Sequence, residues 1–226
     1  MGSAGHRVRF RDRHHAGRQL ARALAPRYGG RDDVVVLGLP RGGVPVAYEV
    51  ATALGAPLDV FVVRKLGVPG HEELAMGAIA SGGVLVLDEG VVQALGISGD
   101  QLQRAVSTEL RELLRREAAY RGSREPPELA GKTVILVDDG LATGSTMKAA
   151  AEAVRKYAPA AIVVVVPVAA AQTCDELRRE VDEIVCLVTP EPFHAVGLWY
   201  EDFSPTSDDE VRDLLARASD SAAAAP

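Results

Sequence analysis

The sequence predicts an α/β fold: an open parallel sheet with helices on both faces, carrying a small hood or β-hairpin lobe. Three observations lead there. Continuous apolar runs at 34–39, 58–63, 132–137, 162–168 and 183–187 read as strands buried on both faces. Stretches of helical period alternate with them through short joints, as in βαβ units. Between the second and third of these strands the alternation breaks into a polar stretch with Gly and Pro, which sets the lobe apart.

In chain order, Asp12 is placed to cap a helix running to Tyr28, where Gly29 and Gly30 stop it. Strand 34–39 leads into Pro40-Arg-Gly-Gly43, then a helix over 45–54 ended by Gly55, then strand 58–63. Residues 66–73 are polar with Gly and Pro and read as a mobile loop. Runs 75–80 and 84–87, joined through 81–83, form a β-hairpin, and 88–95 holds a helical turn or two. Ser98 and Gln101 have capping-box spacing and open a long charged helix to Arg121. The parallel pattern resumes with strand 132–137, helix 143–157, strand 162–168, helix 172–181 and strand 183–187. Ser207 and Glu210 repeat the capping-box spacing and open a last helix to Ala218.

The length of 226 residues suits one domain, assigned to 1–218, with hood elements around 66–97 and 188–206 and a disordered Ala-rich tail at 219–226. A net charge of −6 argues against a nucleic-acid surface, which would be basic. Cys174 and Cys186 fit no metal spacing and read as reduced thiols of a cytoplasmic protein. Residues 1–10 are polar and basic, so no signal peptide is expected. No apolar run approaches the ~20 residues of a membrane span. The longest, 158–171, contains proline and is β-branched in its middle, as suits a buried strand.

Residues 134–147 (VILVDDGLATGSTM) carry the most chemistry. A buried strand ends on two carboxylates, Asp138 and Asp139, and a small-residue loop then opens a helix. Backbone N–H groups, the Thr143, Ser145 and Thr146 hydroxyls and a positive helix N-terminus suit a phosphate. Carboxylates beside a phosphate cradle would repel it, unless they hold the hydroxyls of a sugar that bears the phosphate. The run therefore reads as a sugar-phosphate site. A P-loop fits less well, with three residues between Gly140 and Gly144 and no following Lys, and the dinucleotide G-x-G-x-x-G pattern is missing from this loop. Pro40-Arg-Gly-Gly43 stands at another strand end, where Gly42 and Gly43 let backbone approach a ligand and Arg41 offers a planar donor. Arg64 and Lys65 close the second strand, and an aromatic-rich segment, 192–203, follows the last. In an open α/β sheet, ligands bind beyond such carboxyl ends.

The 134–147 run resembles the signature of the type I phosphoribosyltransferases. That resemblance implies 5-phosphoribosyl-1-pyrophosphate (PRPP) as donor, with Asp138 and Asp139 on the ribose hydroxyls and Ala142, Thr143, Gly144, Ser145 and Thr146 around the 5′-phosphate. It makes 40–43 the pyrophosphate loop, with a cis peptide at Pro40–Arg41 or Arg41–Gly42. Arg64-Lys65 is similar to the pair before the flexible loop of adenine phosphoribosyltransferases; Arg41, Gly42, Gly43, Arg64 and Lys65 would then receive the pyrophosphate. Residues 192–203 resemble the hood strand of the hypoxanthine-guanine enzymes. This implies acceptor contacts from Phe193, Leu141 and Trp199, with core packing the favoured role for Trp199 and Phe203. Glu201 or Asp202 would lie near the metal-bound pyrophosphate. Mg²⁺ would arrive with PRPP, with Asp138, Asp139 and Glu201 as its possible protein ligands.

Hypoxanthine-type enzymes carry an acid where this chain has Ala142, so a base must come from elsewhere: the acceptor, Glu72 or His194. His14 and His15 read as a solvated helix face. The implied activity is Mg²⁺-dependent transfer of a phosphoribosyl group to a nitrogen acceptor, with Asp138, Asp139, Arg41 and Lys65 as its working residues. The implied partners are small molecules (PRPP and the acceptor) and a second copy in a homodimer. A PRPP- or nucleotide-sensing regulator, or a phosphatase or tailoring enzyme on the same scaffold, stands as the alternative.

Overall fold

The alternating runs assemble into two sheets of opposite character, seen in a computed structural model that describes residues 9–223. The main sheet is parallel in the order β2-β1-β6-β7-β8. Its strands are β1 (Val34–Gly38), β2 (Leu58–Val60), β6 (Thr133–Val137), β7 (Ala161–Val168) and β8 (Glu183–Val188). Alternate side chains enter two cores. Val35, Leu37, Val134, Leu136, Val164 and Val166 pack beneath helix α5 (Ser145–Arg155) and helix α6 (Ala171–Leu177). Val34, Val36, Ile135, Val137, Val163 and Val165 face helices α1 (Arg13–Tyr28) and α2 (Gly43–Leu54) on the other side. Burying each such side chain contributes roughly 1.5–3 kcal/mol, which keeps the strand ends rigid.

The second sheet is antiparallel, in the order β3-β4-β5: β3 (Val63–Val68), β4 (His71–Ala80) and β5 (Val84–Leu87). It packs with α4 (Gly99–Arg121) and α7 (Asp208–Ala223) around Leu66, Met76, Ile79, Leu113 and Leu215, after a short α3 (Glu89–Ala94).

Most expected elements are present, and the 75–87 hairpin and the Ser98 capping box are formed. Three expectations are corrected. The strand expected over 58–63 is divided: the Phe61 N–H still bonds Gly38, but Val62 exchanges bonds with Ser81 of the turn between β4 and β5. The loop expected at 66–73 is a hairpin of β3 and β4 turning through Gly70, which has φ 80°. Its polar composition reflects exposure of the hairpin tip, since Leu66 and Val68 are buried on β3 while residues 71–75 of β4 are exposed at every position. Helix α7 runs past Ala218 to Ala223, so 219–223 are helical rather than disordered. Residues 224–226, the end of that expected tail, lie outside the described residues, as do residues 1–8 at the start. Among the described residues no helix is long and apolar enough to cross a membrane.

Candidate active site

Strands β1 and β6 are neighbours, with Gly38 opposite Val137, so their carboxyl ends deliver two segments to one place. From β1, Leu39 N–H bonds the Val137 carbonyl at 2.9 Å and the chain turns through a cis Pro40–Arg41 peptide into α2. The glycines serve close approach rather than unusual φ. A Cβ on Gly42 would sit 2.0 Å from Asp139 Oδ2, and one on Gly43 would sit 2.6 Å from the Val137 carbonyl oxygen.

The acidic pair is tightly arranged. Asp138 Oδ1 accepts the Asp139 N–H at 2.8 Å, and Asp139 Oδ2 accepts Arg13 Nε at 2.8 Å. The Tyr200 hydroxyl donates to the Asp139 backbone carbonyl at 2.6 Å. Asp138 Oδ2 and Asp139 Oδ1 have no partner among the described residues. Burial, and then the charge of Asp139, push the Asp138 carboxyl well above its usual range. Burial also raises Asp139, against the opposing pull of Arg13.

Beyond the pair, Gly140 is pressed against Val196, whose Cγ1 would lie 2.5 Å from an added Cβ. Leu141 is buried and bridged to Ala169. Thr173 of α6 donates to the Ala142 carbonyl at 2.5 Å and backs the loop from below. Gly144 is left-handed at φ 68° and begins α5 without a side-chain cap, so the first N–H groups stay available to a ligand. Thr143 and Ser145 are exposed, their hydroxyls 3.1 Å apart, and Thr146 is half-buried at the same turn.

Of the three expected cations, Arg41 belongs to the 40–43 turn and Lys65 shares a cleft with Ser145, while Arg64 is engaged by α4. Arg41 is half-exposed, 3.9 Å from Asp208. Arg64 is held by Glu109 at 2.7 Å. Lys65 is exposed, has no ion-pair partner among the described residues, and shares a cleft of about 550 Å³ with Ser145 and Lys148. Lys65 and Glu72 also line a second cleft.

The aromatic segment is divided in its duties. Trp199 is buried with Phe10, Val168 and Tyr200, and Phe193 packs half-buried against that cluster. Glu201 and Asp202 are exposed; their N–H groups bond the carbonyls of Phe10 and Arg11, and the Asp202 carboxylate accepts from Ser204. His194 is exposed, His14 pairs with Glu49 at 2.9 Å, and His15 contacts Gln19.

Sequence reasoning missed Arg13, Tyr200 and Thr173; Phe203, expected to pack in the core, does pack against the Trp199 cluster. Arg13 sits 126 residues from its carboxylate partner and carries no local signal beyond following the Asp12 cap. Among the described residues no three His, Cys, Asp or Glu side chains converge as a metal cluster. Two carboxylates with one free oxygen each fit Mg²⁺ only as a minority of its ligands, the rest coming from substrate and water.

Strand ends that gather a candidate diol binder and a phosphate cradle belong to the class of α/β domains that handle sugar phosphates. The family model described as a phosphoribosyl transferase domain matches residues 10–200, and the chain belongs to that family. Two Mycobacterium tuberculosis proteins, from two strains and provisionally named phosphoribosyl transferases, are each 48% identical over 209 residues. The match takes in 92% of this chain and 47% of each of them, so the chain spans about half the length of the curated relatives it matches. The crystal structure of TT1426 from Thermus thermophilus is similar at 44% identity and a TM-score of 0.82, covering 92% of this chain and 98% of that one.

Proposed function

We propose that the chain is a phosphoribosyltransferase that uses PRPP, with Mg²⁺, to place a 5-phosphoribosyl group on a nucleobase-like or other aromatic nitrogen acceptor. The observation that carries this reading is the pair of free oxygens, one on Asp138 and one on Asp139, beside the uncapped start of α5. Two adjacent acceptors suit the vicinal 2′- and 3′-hydroxyls of a ribose. The α5 N-terminus with Thr143, Ser145 and Thr146 suits the 5′-phosphate.

The pyrophosphate would lie toward Arg41, Gly42 and Gly43, with Arg64 and Lys65 approaching from the small sheet. Departure of pyrophosphate takes the C1–O bonding pair and leaves an oxocarbenium-like ribose. The acceptor nitrogen then supplies the pair for the new C1–N bond and gives its proton to a base. The carboxylates hold the ring, and their negative field favours the cationic transition state. Cations around the pyrophosphate stabilise the charge it gains on leaving. Bound Mg²⁺ would supply further neutralisation of that leaving group, held by PRPP oxygens with Asp138, Asp139 or Glu201 contributing. Closure of the β3–β4 hairpin would exclude water and suppress hydrolysis. Two free thiols, Cys174 and Cys186, suit a reducing, cytoplasmic setting.

The test is pyrophosphate release from PRPP with Mg²⁺ across purines, pyrimidines, pyridine carboxylates and aromatic amines. Release with one acceptor, abolished in the Asp138→Asn/Asp139→Asn variant, supports the proposal. Release that survives in the double variant would place the chemistry elsewhere.

A further inference from the structure

Arg13 stands where the acidic pair, the Gly42 turn and the 203–204 segment meet, and nothing in the donor reading requires it. It is the first residue of α1, and that turn is fixed by Asp12 accepting the His15 N–H at 2.6 Å. Its guanidinium has three separate holds. Nε donates to Asp139 Oδ2 at 2.8 Å, Nη1 donates to the Ser204 carbonyl at 2.7 Å, and the plane lies 4.0 Å from the centre of the Phe203 ring. The Arg13 and Asp139 side chains are only 11% and 15% exposed.

A cation needed only for its charge would not require a planar fork stacked on an aromatic face. What the three holds achieve is orientation. The final torsion of an aspartate is broad, so an unheld carboxylate swings its plane and aims its oxygens over a range of directions. Here Arg13 takes Oδ2, and the Gly42 backbone closes in on that same oxygen. Oδ1 is left as the outward acceptor beside the free oxygen of Asp138. The anchor extends to the aromatic segment, since the N–H groups of Glu201 and Asp202 bond the carbonyls of Phe10 and Arg11 just before the helix.

We infer that Arg13 is a positioning residue that fixes the plane of the Asp139 carboxylate, so that the oxygen it does not hold faces the sugar, and so sets the preference of the site for a ribose bearing both vicinal hydroxyls. This rests on the donor-site reading above. It adds that one guanidinium from α1 links the 196–204 segment to the sugar-binding carboxylate, so that a change near Phe203 reaches the donor site.

The test is calorimetric binding of ribose 5-phosphate, 2-deoxyribose 5-phosphate and inorganic phosphate to the wild-type chain and to Arg13→Met, Arg13→Lys and Phe203→Leu. Ribose 5-phosphate should be preferred over its deoxy analogue by about tenfold or more in the wild type, as expected where a hydroxyl is met by built acceptors. Arg13→Met should reduce that preference to about threefold or less while inorganic phosphate affinity stays within about twofold. Arg13→Lys, keeping charge without the fork, should fall between. If Arg13→Met does not fold, Phe203→Leu decides, with a preference lowered about two- to fivefold expected from loss of the stack. A folded Arg13→Met with the wild-type preference overturns the inference, as does equal loss for the sugar phosphates and for phosphate. An unchanged preference in Phe203→Leu, where it is the deciding variant, overturns it too. A wild-type chain that binds neither sugar phosphate contradicts the donor reading itself, a different outcome from either.

Discussion

Gly42 and Asp139 touch so closely that a methyl group on the glycine would lie 2.0 Å from the carboxylate Oδ2. The backbone of the candidate pyrophosphate turn therefore forms one wall of the candidate ribose site. Gly42 has φ −61°, an ordinary value, so space and not conformation demands the glycine. Gly42→Ala should leave the fold intact and force Asp139 off Arg13. Ribose 5-phosphate affinity should fall about tenfold, near 1.4 kcal/mol. Calorimetry checks the affinity and a thermal melt the fold; wild-type affinity in a folded variant would show that the carboxylate position is not critical.

Tyr200 is 4% exposed and gives its hydroxyl to the Asp139 carbonyl at 2.6 Å. Tyr200→Phe leaves that carbonyl without its donor, at a cost of about 1–3 kcal/mol. For a chain of this size each kcal/mol lowers the melting temperature by roughly 2–4 °C. An unchanged melting temperature would show that the strand end holds itself without this bond.

Asp138 carries a stability penalty that the proposed function requires. Its native pKa is raised by burial and by Asp139, so the folded protein binds that proton more tightly than the unfolded chain. Stability from this group is therefore present at low pH and lost as pH rises through the native value. Asp138→Asn removes the penalty while its Oδ1 can still accept the Asp139 N–H. The variant should melt higher than wild type at pH 8, with a smaller advantage at pH 4.5, and should bind ribose 5-phosphate about tenfold more weakly. A lower melting temperature at both values would contradict this. Asp33 and Glu112 act in the opposite direction: hydrogen bonds from Arg31, and from Arg115 and Arg116, draw each down to about 2. Their contribution is present above the ordinary carboxylate range and is lost as pH falls toward about 2.

Arg41 and Lys65 should distinguish the two ends of the donor. Arg41 has only the weak, exposed 3.9 Å pair with Asp208, and Lys65 has no ion-pair partner among the described residues, so neither is needed for the fold. Arg41→Ala and Lys65→Ala should each weaken PRPP binding about tenfold, with ribose 5-phosphate changed about twofold or less. Equal losses for both ligands would show that these cations do not read the pyrophosphate.

The strands of the main sheet were legible because burial on both faces makes them continuously apolar, and the small-residue loop that opens α5 because it follows an acidic pair at a strand end. The break between β2 and β3 was not, since Phe61 and Val62 are apolar and buried in either sheet. The β3–β4 hairpin was hidden because Pro69 and Gly70 are followed by the consecutive polar residues His71, Glu72 and Glu73, exposed at every position, which look like loop. The glycines of the 40–43 turn were found for a different reason from the one seen, since Gly42 admits Asp139 as well as any ligand. Arg13 and Tyr200 could not be found, because contacts spanning 126 and 61 residues leave no spacing to read. Trp199, the one tryptophan, drew attention to a segment whose neighbour Tyr200 touches the acidic pair.

The central claim is that Asp138 and Asp139 hold the ribose of PRPP. Calorimetric titration of PRPP with Mg²⁺ into the wild-type chain and into Asp138→Asn/Asp139→Asn tests it most directly. The account predicts saturable one-site binding to the wild type, weakened about a hundredfold, roughly 2.7 kcal/mol, in the double variant. Absence of PRPP binding to the wild type, or equal binding to both proteins, would contradict it.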